Sequence, residues 1–342
     1  MAYREQPLVS IVVPVHNGSL YLRESLDSIL QQTYRPVEVL VLDDASTDDT
    51  PRILAEYGSD ITVHRQECNL GIYDNVDRGI EMARGELTAV YHADDVYLPE
   101  MVARQVEFMG RFPRAAAVFT LDLWIDAQGK EYGRLELPPE VGGGQPLSFS
   151  VIFNALLRRR NIFLVCPTAM VRSKVYKELD GYRQNIFRNS ADLDMWIRIA
   201  RRHPIGILED YLMKYRHFHA SSSHRYHHLR SEPERFFKIM DHHLEAGGRE
   251  VAGKDALRAY EAHRSEDQIM IAVARYIESR LVPAREALRQ VRPSLLVRAR
   301  EVQGGRLLLL YAGMQILCRL PRFPWVAGLF YRRWHARKGL VA

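Results

Sequence analysis

Between Leu8 and Tyr91, four short apolar runs alternate with stretches of helical periodicity, and this alternation restricts the fold more than anything else in the chain. The runs are Leu8–Val15, Val37–Leu42, Ile61–His64 and Leu87–Tyr91. Between them, Leu22, Leu26, Ile29 and Leu30, then Ile53, Leu54 and Tyr57, then Val76, Ile80 and Ala83 recur at helical spacing. Continuous rather than alternating apolar runs are strands covered on both faces. Strand, helix, strand, helix with short loops predicts an α/β fold built on a mostly parallel, doubly wound sheet.

Two of the four runs end in paired acids, Asp43-Asp44 and Asp94-Asp95. In open α/β sheets ligands sit at the carboxyl ends of the strands. Carboxylates there are hard oxygen ligands for Mg2+ or Mn2+ held together with substrate phosphates. Asp94 and Asp95 equally fit as caps of the helix that starts near Pro99. There is no GxGxxG after the first run and no GxxxxGK[ST] anywhere. Both the dinucleotide fingerprint and the Walker loop are thereby missing. Paired acids suit a metal-bridged nucleotide better than a bare phosphate.

The stretches that carry these acids resemble family 2 inverting glycosyltransferases of the GT-A fold, such as those of bacterial cell-surface polysaccharide assembly. The resemblance rests on Val9-Ser10-Ile11-Val12-Val13-Pro14-Val15-His16-Asn17, on Ser28 to Tyr34, on Val41-Leu42-Asp43-Asp44-Ala45-Ser46, on Asn69-Leu70-Gly71 and on His92-Ala93-Asp94-Asp95. It covers residues 7–220. It implies a nucleotide-binding set of Pro14, His16, Asn17, Asp44 and Asp94, with Asp44 facing the pyrimidine edge and Asp94 near the ribose. It makes Asp95 the ligand of Mg2+ or Mn2+. His92 stands where many members carry a first acid. Asp77 departs from the Asn common at its position and has no assigned role.

Beyond Pro99 the pattern predicts a helix to Phe112, a strand over Ala115–Trp124, a tight turn at Asp126–Lys130, a helix over Phe149–Leu157 and a strand over Val165–Val171. Pro138 to Gln145, with three consecutive glycines, is either a plain flexible loop or a lid. The stretch Asn189-Ser190-Ala191-Asp192-Leu193-Asp194-Met195-Trp196 resembles the family's catalytic segment, which makes Asp192 the general base; read alone, Asp192 is equally a helix cap. Arg216 and His219 are read as diphosphate or metal contacts from a loop, against a solvated polar loop. The histidines between His217 and His228 match no closed zinc pattern.

The chain has 342 residues and a net charge of +5. From Arg298 onward nine Lys/Arg face one acid, Glu301, so the basicity sits in the tail. There Leu307, Ile316, Trp325, Phe330 and Trp334 interleave with Arg319, Arg332 and Arg337. Cations among aromatics and aliphatics fit a membrane surface, or a helix packed on the protein with a basic outer face. No recognised nucleic-acid module is present, and no nucleic acid is expected as partner. Cys68, Cys166 and Cys318 have no paired spacing, which suits a reducing compartment. The run Val9–Val15 is short and holds Pro14, so no signal peptide is expected. No stretch reaches the ~20 apolar residues of a transmembrane helix.

The resulting expectation is a GT-A domain over 1–228, with a nucleotide-sugar half (1–125) and an acceptor half (126–228), then a helical extension over 229–342 with a basic, aromatic tail. The activity implied is metal-dependent, inverting transfer from a nucleotide sugar, UDP-linked, to a hydroxyl of a lipid-linked glycan. The expected location is the cytoplasm, peripheral on the membrane's inner face. A sugar-phosphate nucleotidyltransferase and a non-catalytic nucleotide-sugar-binding protein are the alternatives.

Overall fold

The computed structural model describes residues 6–217, 230, 232–298, 304–321 and 323–336. Nine strands form one sheet among them: β1 (Val9–Val15), β2 (Val37–Asp43), β3 (Thr62–Arg65), β4 (Leu87–Val90), β5 (Val96–Tyr97), β6 (Ala117–Ile125), β7 (Glu131–Arg134), β8 (Met170–Arg172) and β9 (Ile205–Arg216). The helices of this part are α1 (Leu22–Leu30), α2 (Thr50–Ala55), α3 (Ile72–Met82), α4 (Met101–Arg111), α5 (Phe149–Arg159), α6 (Ser173–Glu178), α7 (Gln184–Phe187) and α8 (Ala191–Arg202).

The sheet order is β3-β2-β1-β4-β8-β6-β9-β5, with β7 on β6. β3, β2, β1 and β4 are parallel. β8 is antiparallel to both β4 and β6, and β6 is parallel to β9. It follows that β1, β2, β4, β6 and β9 all run the same way, and their carboxyl ends share one edge. The sheet is α/β and mostly parallel, as the alternation predicts. β1 is buried at every position. Ile11, Val13, Leu22, Leu26, Val41 and Met101 belong to one core layer beside it. Helix α3 lies close on the sheet because residue 79 is glycine: a Cβ there would stand 2.4 Å from Val12 and 2.8 Å from Leu42.

Several elements differ from the sequence expectation. The third run forms an exposed edge strand, shifted to Thr62–Arg65. Val96-Tyr97 pairs with Lys214 and Met213 as a short strand instead of leading into the helix. Over the expected strand Val165–Val171, Pro167 removes a ladder donor. The chain turns as a 3-10 helix at Cys166–Thr168 and pairs only over Met170–Arg172. The twelve-residue β9 was not expected, because Glu209, Asp210 and Lys214 break its apolar pattern.

The chain divides into two compact units, Met1–Ile152 with Asn161–Arg216, and Phe153–Arg160 with His217–Ala342. The second unit is helical, with α9 (Arg235–Glu245), α10 (Lys254–Ile277), α11 (Leu281–Arg289), α12 (Pro293–Arg298), α13 (Gly304–Leu317) and α14 (Pro324–Ala336). Ile271, Tyr276, Ala287, Met314 and Cys318 form one of its cores. Leu309, Ile316 and Trp325 are 77%, 60% and 70% exposed. Among the described residues no helix is long and apolar enough to cross a membrane.

Candidate active site

The register of β1 on β2 sets Val15 opposite Asp43, so the loops leaving the two strands meet. His16 Nδ1 is 2.7 Å from the Asp44 carbonyl oxygen, to which it donates. Asn17 adopts a left-handed φ of 52°. Its backbone N–H donates to Ser46 Oγ at 2.9 Å, and its side-chain oxygen accepts from Thr47 N–H at 2.8 Å. Asp48 ties the same loops together. Burial alone would raise its carboxyl, but hydrogen bonds from Ser19 and Thr50 outweigh that and hold it at about 2. Pro14 is the buried penultimate residue of β1. The Asp44 carboxylate is buried and accepts from Leu70 N–H at 2.7 Å and Gly71 N–H at 3.0 Å. Pro14, His16, Asn17 and Asp44 are thus brought together at one corner of the carboxyl edge.

Beyond β4, His92, Asp94 and Asp95 place their ligating atoms within 4.8 Å of one another. The turn is rigid. Tyr91 and Tyr97 stack with centroids 3.9 Å apart, and His92 N–H donates to the Tyr97 hydroxyl oxygen at 2.6 Å. Burial pushes the Asp94 and Asp95 carboxyls up, and Asp94's charge pushes Asp95 further. Burial also pushes His92 down, towards the neutral imidazole that ligates metals. Asp95 is 1% exposed, and its Oδ2 has no hydrogen-bond partner. An orphaned buried carboxylate oxygen beside a second acid and a neutral imidazole is a donor set that fits a divalent cation.

Arg216 is the last residue of β9 rather than part of a loop, and its groups are already engaged. Its N–H donates to Asp95 Oδ1 at 2.8 Å. The guanidinium donates to Glu24 Oε2 at 2.6 Å and to the Asp94 carbonyl at 2.9 Å, and lies 4.4 Å from the Tyr21 ring. The side chain is 1% exposed. Arg216 thus ties β9 to the Asp94-Asp95 turn. His219 lies outside the described residues, as do the histidines from 224 to 228.

Asp192 occupies the first turn of α8, whose cap position is Ser190, so Asp192 is inside the helix rather than its cap. Burial pushes its carboxyl up to about 6, partly offset by the nearby Leu193 N–H and Tyr73 hydroxyl. Tyr73, on α3, is buried, stacks on Tyr182 at 4.9 Å and donates to the Asn189 carbonyl at 3.3 Å. The helix is anchored at its far side, where Arg198 donates to Asp194 at 2.8 Å and to the Leu179 and Gly181 carbonyls, each at 2.7 Å. Burial raises the Cys166 thiol well above its usual range, and the charges of both Asp192 and Asp95 add to that. The charges of the α8 acid and of a β4 acid thus both act on this one thiol.

Sequence reasoning missed three residues here. Tyr73 and Cys166 were given no role. Asp122 carried a signal: it is a charged residue in the middle of an apolar run, and such residues are rarely buried without a reason. Asp77 accepts from Tyr182 N–H at 2.9 Å, and burial pushes its carboxyl up to about 6.

A family model for glycosyl transferase family 2 matches residues 10–180, and the chain belongs to that family. An uncharacterized glycosyltransferase of Methanocaldococcus jannaschii is 32% identical over 218 residues, which is 62% of this chain and 71% of the relative. Another, from Rickettsia felis, is 30% identical over 224 residues; the match spans 63% of this chain and 35% of that longer protein. Among solved structures, S. aureus TarS 1-349 in complex with UDP-GlcNAc has a TM-score of 0.58 over 91% of each chain at 18% identity. The likeness establishes the fold as GT-A.

Proposed function

We propose that this chain is a metal-dependent, inverting glycosyltransferase that takes its sugar from a UDP-sugar. The observation that carries the reading is the cluster of His92, Asp94 and Asp95, in which the buried Asp95 Oδ2 has no hydrogen-bond partner. Family membership and the TarS complex with UDP-GlcNAc support the donor class. In this reading Pro14, His16, Asn17 and Asp44 hold the base, and Asp94 meets the ribose. Asp95, with His92 beside it, holds Mg2+ or Mn2+. The bound cation supplies positive charge against the diphosphate, whose leaving oxygen becomes more negative as transfer proceeds.

Asp192 accepts the proton of the acceptor hydroxyl while that oxygen attacks the anomeric carbon. The bond from that carbon to the diphosphate oxygen breaks, and its electron pair leaves with the diphosphate. A single displacement inverts the anomeric centre. A carboxyl near 6 is a better base than an ordinary one near ~3.9.

The acceptor proposed is a lipid-linked glycan met at an anionic membrane surface. Exposed Leu309, Ile316 and Trp325, with Arg306, Arg319 and Arg332 exposed among them, support this surface.

A thermal-shift screen of nucleotide sugars with and without Mn2+ tests the donor, UDP-sugars with Mn2+ being expected to stabilise most. Asp192→Asn is expected to keep donor binding and lose transfer; full transfer by that variant would remove Asp192 from the role. Pyrophosphate release from a nucleoside triphosphate and a sugar phosphate would instead make the chain a nucleotidyltransferase.

A further inference from the structure

Strand β6 carries polar groups where its neighbours are apolar. Thr120 and Asp122 are 0% and 2% exposed, and neither Thr120 Oγ1 nor Asp122 Oδ1 has a hydrogen-bond partner. Buried polar atoms are nearly always paired, so an orphaned carboxylate oxygen calls for a partner from outside the chain. The other Asp122 oxygen is taken: Trp124 Nε1 donates to Oδ2 at 2.9 Å.

The indole itself is held by a close backbone approach. It lies over Gly133 of β7, where a Cβ would stand 2.6 Å from Trp124 Cε3. Tyr132 is 6.3 Å from it, centroid to centroid. The pair stands at the carboxyl edge, because β6 ends opposite Arg216 through Ile125, and Arg216 N–H holds Asp95. Asp122 is near enough to Asp95 for its charge to act on that carboxyl. Asp122 and Asp95 thus present two orphaned oxygens at one edge of the same sheet.

We propose that Asp122 and Trp124 form a subsite for a pyranose ring, Asp122 Oδ1 accepting a ring hydroxyl and the indole packing on the ring's C–H surface. A carboxylate takes only donors, and a sugar is rich in hydroxyl donors. An aromatic ring with a polar handle suits a ligand that is apolar on one face and wet at its rim. This subsite rests on the glycosyltransferase reading above. The ring is either the transferred sugar of the donor or a sugar of the acceptor; the recognition chemistry is common to both.

The test uses full-length protein with Asp122→Asn and Trp124→Phe, each checked for folding by circular dichroism. Calorimetry with Mn2+ compares UDP with UDP-GlcNAc and UDP-glucose. Saturation-transfer NMR with UDP and Mn2+ follows methyl glycosides of glucose, galactose, mannose and N-acetylglucosamine. The expected result is UDP affinity within about twofold of wild type and a sugar readout reduced about tenfold. Loss of the extra affinity of UDP-sugar over UDP assigns the ring to the donor. Loss of the methyl-glycoside signal assigns it to the acceptor. The proposal is overturned if both sugar readouts are unchanged in the two variants, or if UDP affinity falls in parallel with them. Should Asp122→Asn not fold, Trp124→Phe decides by the same readouts. If wild type binds no nucleotide sugar at all, the glycosyltransferase reading fails first and the subsite with it.

Discussion

The Asp192 carboxyl, pushed up to about 6 by burial, titrates where activity and stability are both measurable, with opposite signs. As a base it works ionised, so kcat/KM is expected to fall about tenfold per pH unit below that value; a flat profile from pH 5 to 8 would exclude it. For stability, the folded value lies above the ordinary 3.8. The neutral form is therefore the one the fold favours. That favourable balance is complete below the ordinary value and is lost as pH rises to about 6 and beyond. Asp192→Asn is thus expected to stabilise the protein by about 2 kcal/mol at pH 8 and hardly at all at pH 4. Thermal melts at the two pH values check this, equal shifts at both being the contrary result. The run around Asp192 marked it as a candidate, but its altered acidity was not legible there. That depends on burial by residues far away in the chain, with Tyr73, 119 positions upstream, partly offsetting it.

At the scale of elements, the strand ends are held from behind. Arg216 closes β9 onto the Asp94-Asp95 turn, Glu24 and the Tyr21 ring. Replacing it with alanine removes three kinds of contact but leaves Glu24 half exposed and able to hydrate. The expected loss is therefore about 2–4 kcal/mol, read from urea melts; a change within experimental error would show that the turn holds itself. Gly79→Ala drives a methyl into Val12 and Leu42, with an expected loss of about 1–3 kcal/mol. Unchanged stability there would mean that α3 shifts freely on the sheet. Strands β1, β2 and β4 were readable because parallel strands buried on both faces are apolar throughout, whereas β3 is an exposed edge strand and was read one residue out of place. β9 was not, since its bulged pairing with β6 and mixed burial mask the alternation. Without β9 in view, Arg216 looked like a loop cation.

For the molecule as a whole, the tail's composition and its exposure agree. Helix α13 carries one charged residue, Arg306, yet Leu309 and Ile316 face solvent. A helix apolar on all sides is ordinarily covered. With arginines interleaved and no acid after Glu301, an anionic bilayer surface is the expected cover. Wild type should co-sediment with vesicles containing anionic lipid, less so with neutral ones and less at high salt. Leu309→Asp combined with Ile316→Asp should abolish it. Vesicle binding unchanged by the double variant, or loss of a dimer in its place, would overturn this assignment.

Local pattern was enough for the class of fold and for naming candidate residues. Strand–helix alternation demands a wound sheet, and short motifs mark Asp44, Asp94, Asp95 and Asp192 without reference to anything distant. What those groups are worth depends on the folded chain. Which acids lie near one another, which oxygen of Asp95 or Asp122 is left unpaired, and whether Arg216 is free to meet a ligand all follow from strand order and burial. Those are properties of residues brought together from far apart in the chain, Asp95 and Arg216 being 121 positions apart, and no local pattern records them.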